Sequence, residues 1–228
     1  MKIAIIPARG GSRRIPRKNV KLFFGRPIIA WPIEIAREAG CFDRIIVSTD
    51  DKEIAKIAEK YGAEVPFTRP SSISDDYSTT IAVVAHAIRL LQELGEKIYF
   101  VCCIYATAPF IRAVDLEKSL EIIQNEGVDY CFSVTDYSFP IQRSIRITKD
   151  NRCEMFEPDV FHNRSQDLEK AYHDAGQFYW GRVDAWIEQK ALFYSNSTPY
   201  VLPRYRVQDI DTVDDWKRAE LMAQYLLQ

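Results

Sequence analysis

The chain begins with an apolar run that ends in a basic loop, and residues 2–19 read KIAIIPARGGSRRIPRKN. A short continuous apolar run followed by Pro and Gly is typical of a buried strand. Residues 9–19, called the cationic loop below, contain five basic residues and two adjacent glycines. In open α/β sheets ligands bind beyond the carboxyl ends of the strands, so this loop is the first expected ligand site.

The same strand-and-helix unit repeats up to residue 137. The predicted strands are 2–8, 44–48, 64–67, 98–105 and 130–135, and the predicted helices are 27–39, 51–61, 78–94 and 112–126. Near-continuous apolar strands that alternate with helices predict a doubly wound, mostly parallel α/β sheet covered on both faces.

The pattern changes after residue 137. We predict a β-hairpin at 144–156, a polar irregular stretch at 157–174, strands at 177–180 and 200–202, and helices at 183–190 and 212–227. No internal repeat or linker composition interrupts the sequence. We therefore expect a single domain, 1–228, with a small β-hairpin and irregular insertion at 138–174, called the insertion below.

Composition excludes some classes of protein. With 47% apolar and 27% charged residues, the chain is predicted to be globular rather than disordered. No apolar run approaches the roughly 18 residues of a membrane span, so no membrane partner is expected. The five cysteines form an odd set without C-x-x-C spacing, which favours free thiols and a cytoplasmic location.

The charge distribution points to a polyanionic partner. Residues 1–33 contain eight basic residues and no acidic one, whereas the other 195 residues carry 22 basic and 32 acidic residues. Gly10 and Gly11 let backbone N–H groups approach phosphate oxygens, and Arg and Lys add charge-assisted hydrogen bonds. The alternatives are a solvated basic loop or a nucleic-acid-binding patch. Gly and Pro, rather than stacking aromatics, separate these cations, which disfavours a single-strand binder.

A second candidate site lies near the carboxyl end, in the segment Gln208–Asp211. In an extended segment Asp209 and Asp211 point to the same side, where both carboxylates can approach one Mg²⁺ (or Mn²⁺) together with phosphate oxygens. A solvent-facing acidic loop is the alternative. Thr212 and Asp215 form the pattern of a helix capping box, and N-capping accounts for part of the polar run 75–80, so neither is assigned to catalysis.

The cationic loop resembles the amino-terminal signature of the CMP-sugar synthetases, the cytidylyltransferases that activate sialic, ketodeoxyoctonic and pseudaminic acids. Within that family, segments 102–110 (CCIYATAPF), 139–143 (FPIQR) and 173–180 (HDAGQFYW) are most similar to members that use pseudaminic acid. The resemblance spans nearly the whole chain and implies the nucleotide-diphospho-sugar transferase fold.

The implied reaction is transfer of CMP from CTP to the anomeric hydroxyl of a nonulosonic acid, with pseudaminic acid expected and sialate or a related ulosonate as the alternative. Its product would serve surface or flagellar glycosylation. A non-catalytic nucleic-acid-binding protein is the remaining alternative from another class, and it is disfavoured because Asp209 and Asp211 would repel phosphates. No nucleic acid is therefore expected as a partner.

The resemblance also implies roles for individual residues. The expected CTP-binding residues are Arg9, Gly10, Gly11, Ser12, Arg13, Lys18, Asn19 and Arg69, the last in a dipeptide that could also form a simple turn. The expected catalytic residues are Arg9, Arg13, Lys18 and Asp211, and the expected metal ligands are Asp209 and Asp211. Many relatives carry Lys where this chain has Arg13, and some carry an Asp where it has 106–108 (ATA). Either the metal or Asp211 could assist deprotonation of the sugar.

The insertion and the strand after it supply the expected sugar-binding residues. A nonulosonic acid carries a carboxylate and amide groups, which Arg, amide and aromatic side chains recognise. The candidates are Arg143, Arg164, Gln166, Gln177 and Tyr179. In the family this region forms the dimer contact and reaches toward the partner's active site, so a homodimer is expected.

Overall fold

The computed structural model describes residues 1–227. In chain order its strands are β1 (Lys2–Pro7), β2 (Leu22–Phe23), β3 (Arg26–Pro27), β4 (Arg44–Ser48), β5 (Phe100–Ile104), β6 (Tyr130–Asp136), β7 (Ile145–Ile147), β8 (Cys153–Met155), β9 (Tyr172–Arg182) and β10 (Ser197–Val201). Its α-helices are α1 (Ala30–Glu38), α2 (Lys52–Lys60), α3 (Thr80–Glu93), α4 (Ala113–Glu126), α5 (Val183–Ile187) and α6 (Val213–Leu226).

A six-stranded sheet with the order β10-β6-β9-β5-β1-β4 forms the centre of the molecule. β1 pairs in parallel with both β4 and β5, and β10 pairs in parallel with β6. β9 lies between β5 and β6 and is antiparallel to both. The mostly parallel, doubly wound sheet predicted from the sequence is confirmed, and β9 is its single antiparallel strand among the residues described.

Both faces of this sheet are buried. One face packs against α1, α2 and α4 in a cluster that includes Ile6, Ile33 and Leu116. The other face packs against α3 and α5 in a cluster that includes Ile5 and Trp186. Because consecutive residues of a strand point to opposite faces, Ile5 and Ile6 enter different clusters, which explains the continuous apolar run of β1.

A third apolar cluster joins the two ends of the chain. Ile15 of the cationic loop and Ile210, which separates Asp209 from Asp211, are both buried beside Trp216 of α6. Phe23 packs edge-on against Trp216 with 5.4 Å between ring centroids. Apolar packing therefore brings the cationic loop and the acidic segment together, although 190 residues separate them in sequence.

Several sequence predictions differ from the structure. β9 begins at Tyr172, inside the stretch 157–174 that was expected to be irregular, and α5 ends at Ile187 rather than at residue 190. Segment 64–67 is not a strand: it makes one isolated bridge to β4, between Glu64 and Ile46, because Pro66 has no N–H to continue the ladder. The first helix begins at Ala30 rather than at residue 27. Pro32 therefore lies in its first turn, where the missing N–H breaks no intrahelical bond.

The hairpin predicted within 144–156 is confirmed as the pair β7 and β8. The capping box of Thr212 and Asp215 is also confirmed, at the start of α6, and Thr79 caps α3. Over residues 1–227 the structure contains no helix that is long and apolar enough to cross a membrane.

Candidate active site

A cleft of about 690 Å³ opens at the carboxyl ends of β1 and β5. Its walls come from the cationic loop, from the segment that leads into α3, from the residues after β5 and from the Asp209–Asp211 segment. The polar residues of the lining are Arg9, Ser12, Arg13, Arg14, Lys18, Asn19, Arg69, Asp75, Asp76, Ser78, Thr80, Tyr105, Thr107, Asp209 and Asp211.

The cationic loop is folded back on itself beneath this cleft. The buried Asn19 donates a hydrogen bond from Nδ2 to the carbonyl oxygen of Arg9, at 2.9 Å. Ile15 anchors the middle of the loop in the third apolar cluster. These two contacts hold the basic side chains on one wall of the cleft.

Four cations of the cleft form ion pairs with two aspartates, two cations with each aspartate. Asp76 bridges Arg9 Nη2 at 2.6 Å and Arg13 Nε at 3.0 Å. Asp211 bridges Arg14 Nη2 at 3.0 Å and Lys18 Nζ at 3.3 Å. Two acidic side chains are thus paired with Arg9, Arg13 and Lys18, the loop cations expected to bind phosphate groups, and with Arg14.

Asp209 and Asp211 both face the cleft because Ile210 between them points into the third apolar cluster. Lys18 Nζ also donates to the carbonyl oxygen of Ile210, at 2.5 Å. The pKa of Asp209 is raised, first by desolvation within the cleft and then by the neighbouring Asp211 carboxylate. Although Asp209 retains exposed surface, these two effects make the aspartate pair a favourable site for a cation.

Arg69 lies in the floor of the cleft and is only 4% exposed. Its Nε and Nη2 atoms have no hydrogen-bond partner among the residues described, and Asp50 Oδ1 is 3.8 Å from Nη2. Burial lowers the pKa of the guanidinium, Asp50 opposes that shift, and Arg9 adds to it. A buried donor without a partner is costly, so Arg69 is well suited to a ligand acceptor that enters the cleft.

Tyrosine side chains extend from the cleft into the sheet. Tyr105, directly after β5, exchanges a hydrogen bond with Thr80 Oγ1 at 3.1 Å. Its ring packs on Tyr179 of β9, whose hydroxyl donates to Asp174 Oδ2 at 2.6 Å. Burial raises the pKa of Tyr105 to about 12, so its hydroxyl stays protonated and available as a donor.

Sequence comparison identifies the family. The cytidylyltransferase family profile matches residues 3–217. The chain belongs to the cytidylyltransferase family.

Curated relatives of this cytidylyltransferase extend over nearly its full length. The pseudaminic acid cytidylyltransferase of Campylobacter jejuni is 46% identical over 221 residues, which cover 96% of this chain and 95% of the relative. The CMP-N,N′-diacetyllegionaminic acid synthase of Legionella pneumophila is 33% identical, over 96% of this chain and 94% of the relative.

Solved structures have the same fold. A CMP:2-keto-3-deoxy-manno-octonic acid synthetase complexed with CTP superposes with a TM-score of 0.72 and 18% identity, covering 99% of both chains. The 4-diphosphocytidyl-2C-methyl-D-erythritol synthase of Anaerococcus prevotii gives a TM-score of 0.64 at 15% identity, with 98% of both chains covered. The predicted nucleotidyltransferase fold is therefore confirmed for this cytidylyltransferase.

The structure brings most predicted nucleotide residues together. Arg9, Ser12, Arg13, Lys18, Asn19 and Arg69 all line the cleft, opposite Asp209 and Asp211. Gly10 and Gly11 lie in the loop but outside the lining. Gly11 is exposed with open space around its Cα, whereas Gly10 is closely approached by Asp51.

The predicted sugar residues are not brought to the cleft. Arg143, Arg164 and Gln166 are exposed on the insertion, outside the cleft lining. Gln177 and Tyr179 are buried, and Gln177 Nε2 donates to the carbonyl oxygen of Arg206 at 2.8 Å. In the cytidylyltransferase chain alone, Gln177 thus supports the segment that precedes Asp209, whereas the Tyr179 hydroxyl binds Asp174.

Sequence reasoning missed three acidic residues around the cleft. Asp76 lies in a run whose pattern indicates helix capping, and no motif of the sequence includes Asp50 or Asp51. The last two lie just after β4, separated from it by Thr49, at the same sheet edge as the cationic loop. The rule that ligands bind at the carboxyl ends of strands would have marked them.

Proposed function

We propose that this cytidylyltransferase transfers CMP from CTP to the anomeric hydroxyl of pseudaminic acid and releases pyrophosphate. The observation that carries the proposal is the cleft that sets the cations of the 9–19 loop opposite Asp209 and Asp211. The choice of sugar rests on the 46% identity to a pseudaminic acid cytidylyltransferase.

In the proposed reaction the chain acts by positioning substrates and neutralising charge. The triphosphate binds Arg9, Arg13 and Lys18. It replaces Asp76 as the partner of the two arginines and Asp211 as the partner of Lys18. The sugar hydroxyl attacks the α-phosphorus in line and gives up its proton to Asp211 or to water. The bond from the α-phosphorus to the bridging oxygen breaks, and pyrophosphate leaves with its electron pair. Cations fixed in a partly dehydrated cleft stabilise the leaving charge without reorganising during the step. No covalent enzyme intermediate is required.

The donor set suits a divalent metal bound together with nucleotide. No group of three or more His, Cys, Asp or Glu that could hold a metal occurs in the part of the chain that the structure describes. Asp209 and Asp211 alone are two hard oxygen donors, which is the share that protein usually contributes to Mg²⁺ bound to phosphates. When bound there, Mg²⁺ (or Mn²⁺) would neutralise part of the negative charge on the phosphate oxygens. The pKa of Asp209 is raised first by desolvation and then by the Asp211 carboxylate, and a cation bound by the pair would offset both effects.

Arg69 is proposed to read the cytosine base. Its unpartnered Nε and Nη2 donors in the cleft floor match the acceptor edge of cytosine, O2 and N3. Burial of these unpartnered donors costs free energy, and only a bound ligand offsets that cost. Binding therefore favours a base that offers hydrogen-bond acceptors at this position.

We further propose that two copies of the chain complete the sugar end of the site. The insertion exposes several large apolar side chains, which are Phe139, Ile145, Ile147, Phe156 and Phe161. Several large exposed apolar side chains concentrated in one segment are typical of a protein interface. A homodimer that buries them would bring Arg143, Arg164 and Gln166 of the insertion toward the cleft of the other copy.

The nucleic-acid alternative is disfavoured by the internal pairing of the cations. Asp76 holds Arg9 and Arg13, and Asp211 holds Arg14 and Lys18, within a concave cleft rather than on an open surface. Phosphates of a duplex would meet these aspartates as well as the arginines. The cytoplasmic location and the role in surface or flagellar glycosylation remain predictions from cysteine usage and from the substrate.

The experiment that tests the proposal is a substrate matrix. Pyrophosphate release is measured with CTP, UTP or ATP, with pseudaminate or sialate, and with Mg²⁺ or a chelator. We expect release only with CTP, pseudaminate and metal together. A higher kcat/KM with sialate would overturn the sugar assignment, and undiminished activity in chelator would overturn the metal assignment.

A further inference from the structure

Asp51 is an acidic residue that the proposed chemistry does not use, and it contacts three separate parts of the chain. It lies between β4 and α2, beside both ends of the segment 10–17 of the cationic loop. Each of its contacts has a distinct physical consequence.

The first contact caps α2. Asp51 Oδ1 accepts hydrogen bonds from the backbone N–H groups of Glu53 at 2.9 Å and Ile54 at 3.0 Å. Asp is among the preferred N-cap residues because it satisfies donors that lack an intrahelical partner. A cap alone requires only one carboxylate oxygen, so the second oxygen is free for another role.

The second contact fixes the far end of the loop. Arg17 Nη1 donates to Asp51 Oδ2 at 2.5 Å and Arg17 Nη2 donates to Oδ1 at 3.2 Å, while Arg17 also pairs with Glu53. Arg17 adopts a left-handed backbone conformation with φ 56°. That conformation is unfavourable for a residue with a side chain, so the paired guanidinium offsets its cost. The bend at Arg17 directly precedes Lys18 and Asn19, which line the cleft.

The third contact lies at the near end of the loop. A Cβ atom at Gly10 would come within 2.7 Å of Asp51 Oδ2. The Gly10 N–H donates to Asp50 Oδ1 at 2.9 Å. Gly10 is therefore required by the close approach of Asp51, and the pair Asp50–Asp51 holds the loop where Arg9 enters the cleft.

We propose that Asp51 is a positioning residue for nucleotide binding. Through Arg17 it holds the far end of the cationic loop, and it packs against Gly10 at the near end, which Asp50 holds by a hydrogen bond, so that Arg9 and Lys18 meet the triphosphate. This inference rests on the proposed function, because it assumes that the loop binds CTP. Asp51 itself is beyond the cleft lining and is not expected to touch substrate.

Asp51→Asn separates this role from helix capping. Asn caps helices about as well as Asp, whereas it removes the charge that pairs with Arg17 and places amide hydrogens near the guanidinium. We expect the KM for CTP to rise about tenfold, as is usual for loss of a charge-assisted contact, with kcat within about threefold of the parent. The melting temperature should fall modestly, because the ion pair with Arg17 is lost while the helix cap is kept. A purely structural role would lower the melting temperature and leave the KM for CTP unchanged, and that result would overturn the proposal.

Two further variants control this test. Asp43→Asn makes the same change at the other end of β4, where Asp43 Oδ2 accepts from Lys2 N at 2.6 Å, and should leave both kinetic constants unchanged. Arg17→Gln should reproduce the KM effect without touching the cap, even if Asp51→Asn does not fold. The double variant should be no worse than either single one, because both changes break one contact. Additive effects would contradict action through Arg17.

The proposed function is tested separately by calorimetry of CTP binding to Lys18→Met. If that variant binds CTP like the parent, the loop is not the triphosphate site and the proposed function fails. If Lys18→Met loses CTP while Asp51→Asn keeps the parental affinity, only the positioning role is overturned.

Discussion

The cationic loop and the insertion both carry side chains assigned to substrate, but they are held by different contacts. The loop is tied to distant parts of the chain: Ile15 packs with Ile210, Asn19 binds the Arg9 carbonyl, and Arg17 pairs with Asp51. Side chains of the insertion bond within the insertion, as Gln142 does to Glu169 O at 3.0 Å. One chain therefore builds the nucleotide end of the cleft, which consists of the cationic loop, Arg69, Asp209 and Asp211. The contrast supports our proposal that a second copy completes the sugar end.

The largest expected effect comes from Lys18→Met, which removes a cation at the centre of the nucleotide end. Loss of one preorganised charged donor typically lowers kcat by about 100-fold or more, and we expect that for pyrophosphate release. The oligomeric mass should not change. Lys217→Met is the matched control, because Lys217 pairs only weakly with Asp214 at 3.4 Å on the surface of α6. If Lys18→Met and Lys217→Met were equally active, Lys18 would not bind the triphosphate and the prediction would be wrong.

Ile147→Asp tests the insertion in the same way. Ile147 is 72% exposed on the hairpin, and a charge there should oppose burial against a second copy. We expect a lower mass by light scattering and an approximately tenfold higher KM for the sugar, with CTP affinity unchanged. The control is Leu94→Asp, at a residue 68% exposed at the end of α3. A fully active monomer would show that one chain completes the sugar end by itself.

Asp76→Asn should produce a smaller effect of opposite sign. Asp76 competes with the triphosphate for Arg9 and Arg13, and exposed ion pairs contribute about 0.2–1 kcal/mol. We therefore expect calorimetry to show CTP binding about twofold to fivefold tighter, with the gain diminishing at high salt. Weaker binding would mean that Asp76 orients the arginines instead. Asp214→Asn removes an equal charge away from the cleft.

The smallest effect concerns pH and the stability of the nucleotide end. The hydrogen bonds from Arg17 lower the pKa of Asp51 to about 2, below that of an aspartate in an unfolded chain. The stabilisation is therefore fully present above about pH 4 and is lost as the pH falls toward 2. In urea unfolding, the stability difference between the parent and Asp51→Asn should shrink from pH 5 to pH 3. A constant difference over that range would contradict the lowered pKa.

Much of the nucleotide end was predictable because its signals are local. Arg9, Lys18 and the glycines follow a strand with an unmistakable apolar run, and alternation places Asp209 and Asp211 on one side of Ile210. The partners Asp51 and Asp76 were missed, since no local pattern links a carboxylate to an arginine many residues away. Gln177 and Tyr179 occupy buried positions in β9, which their polar side chains alone did not indicate.

The sequence by itself determined the class of fold, the strand that leads into the cationic loop and the family of the enzyme. These signals are periodicity and short motifs, which depend only on residues near one another in the sequence. Only the tertiary structure decided which acid meets which cation, why Gly10 must lack a side chain, and that β9 runs antiparallel between β5 and β6. Those features depend on packing between segments far apart in the chain. The physical reason is that a buried cluster such as Ile15, Ile210 and Trp216 forms only when the whole chain has folded.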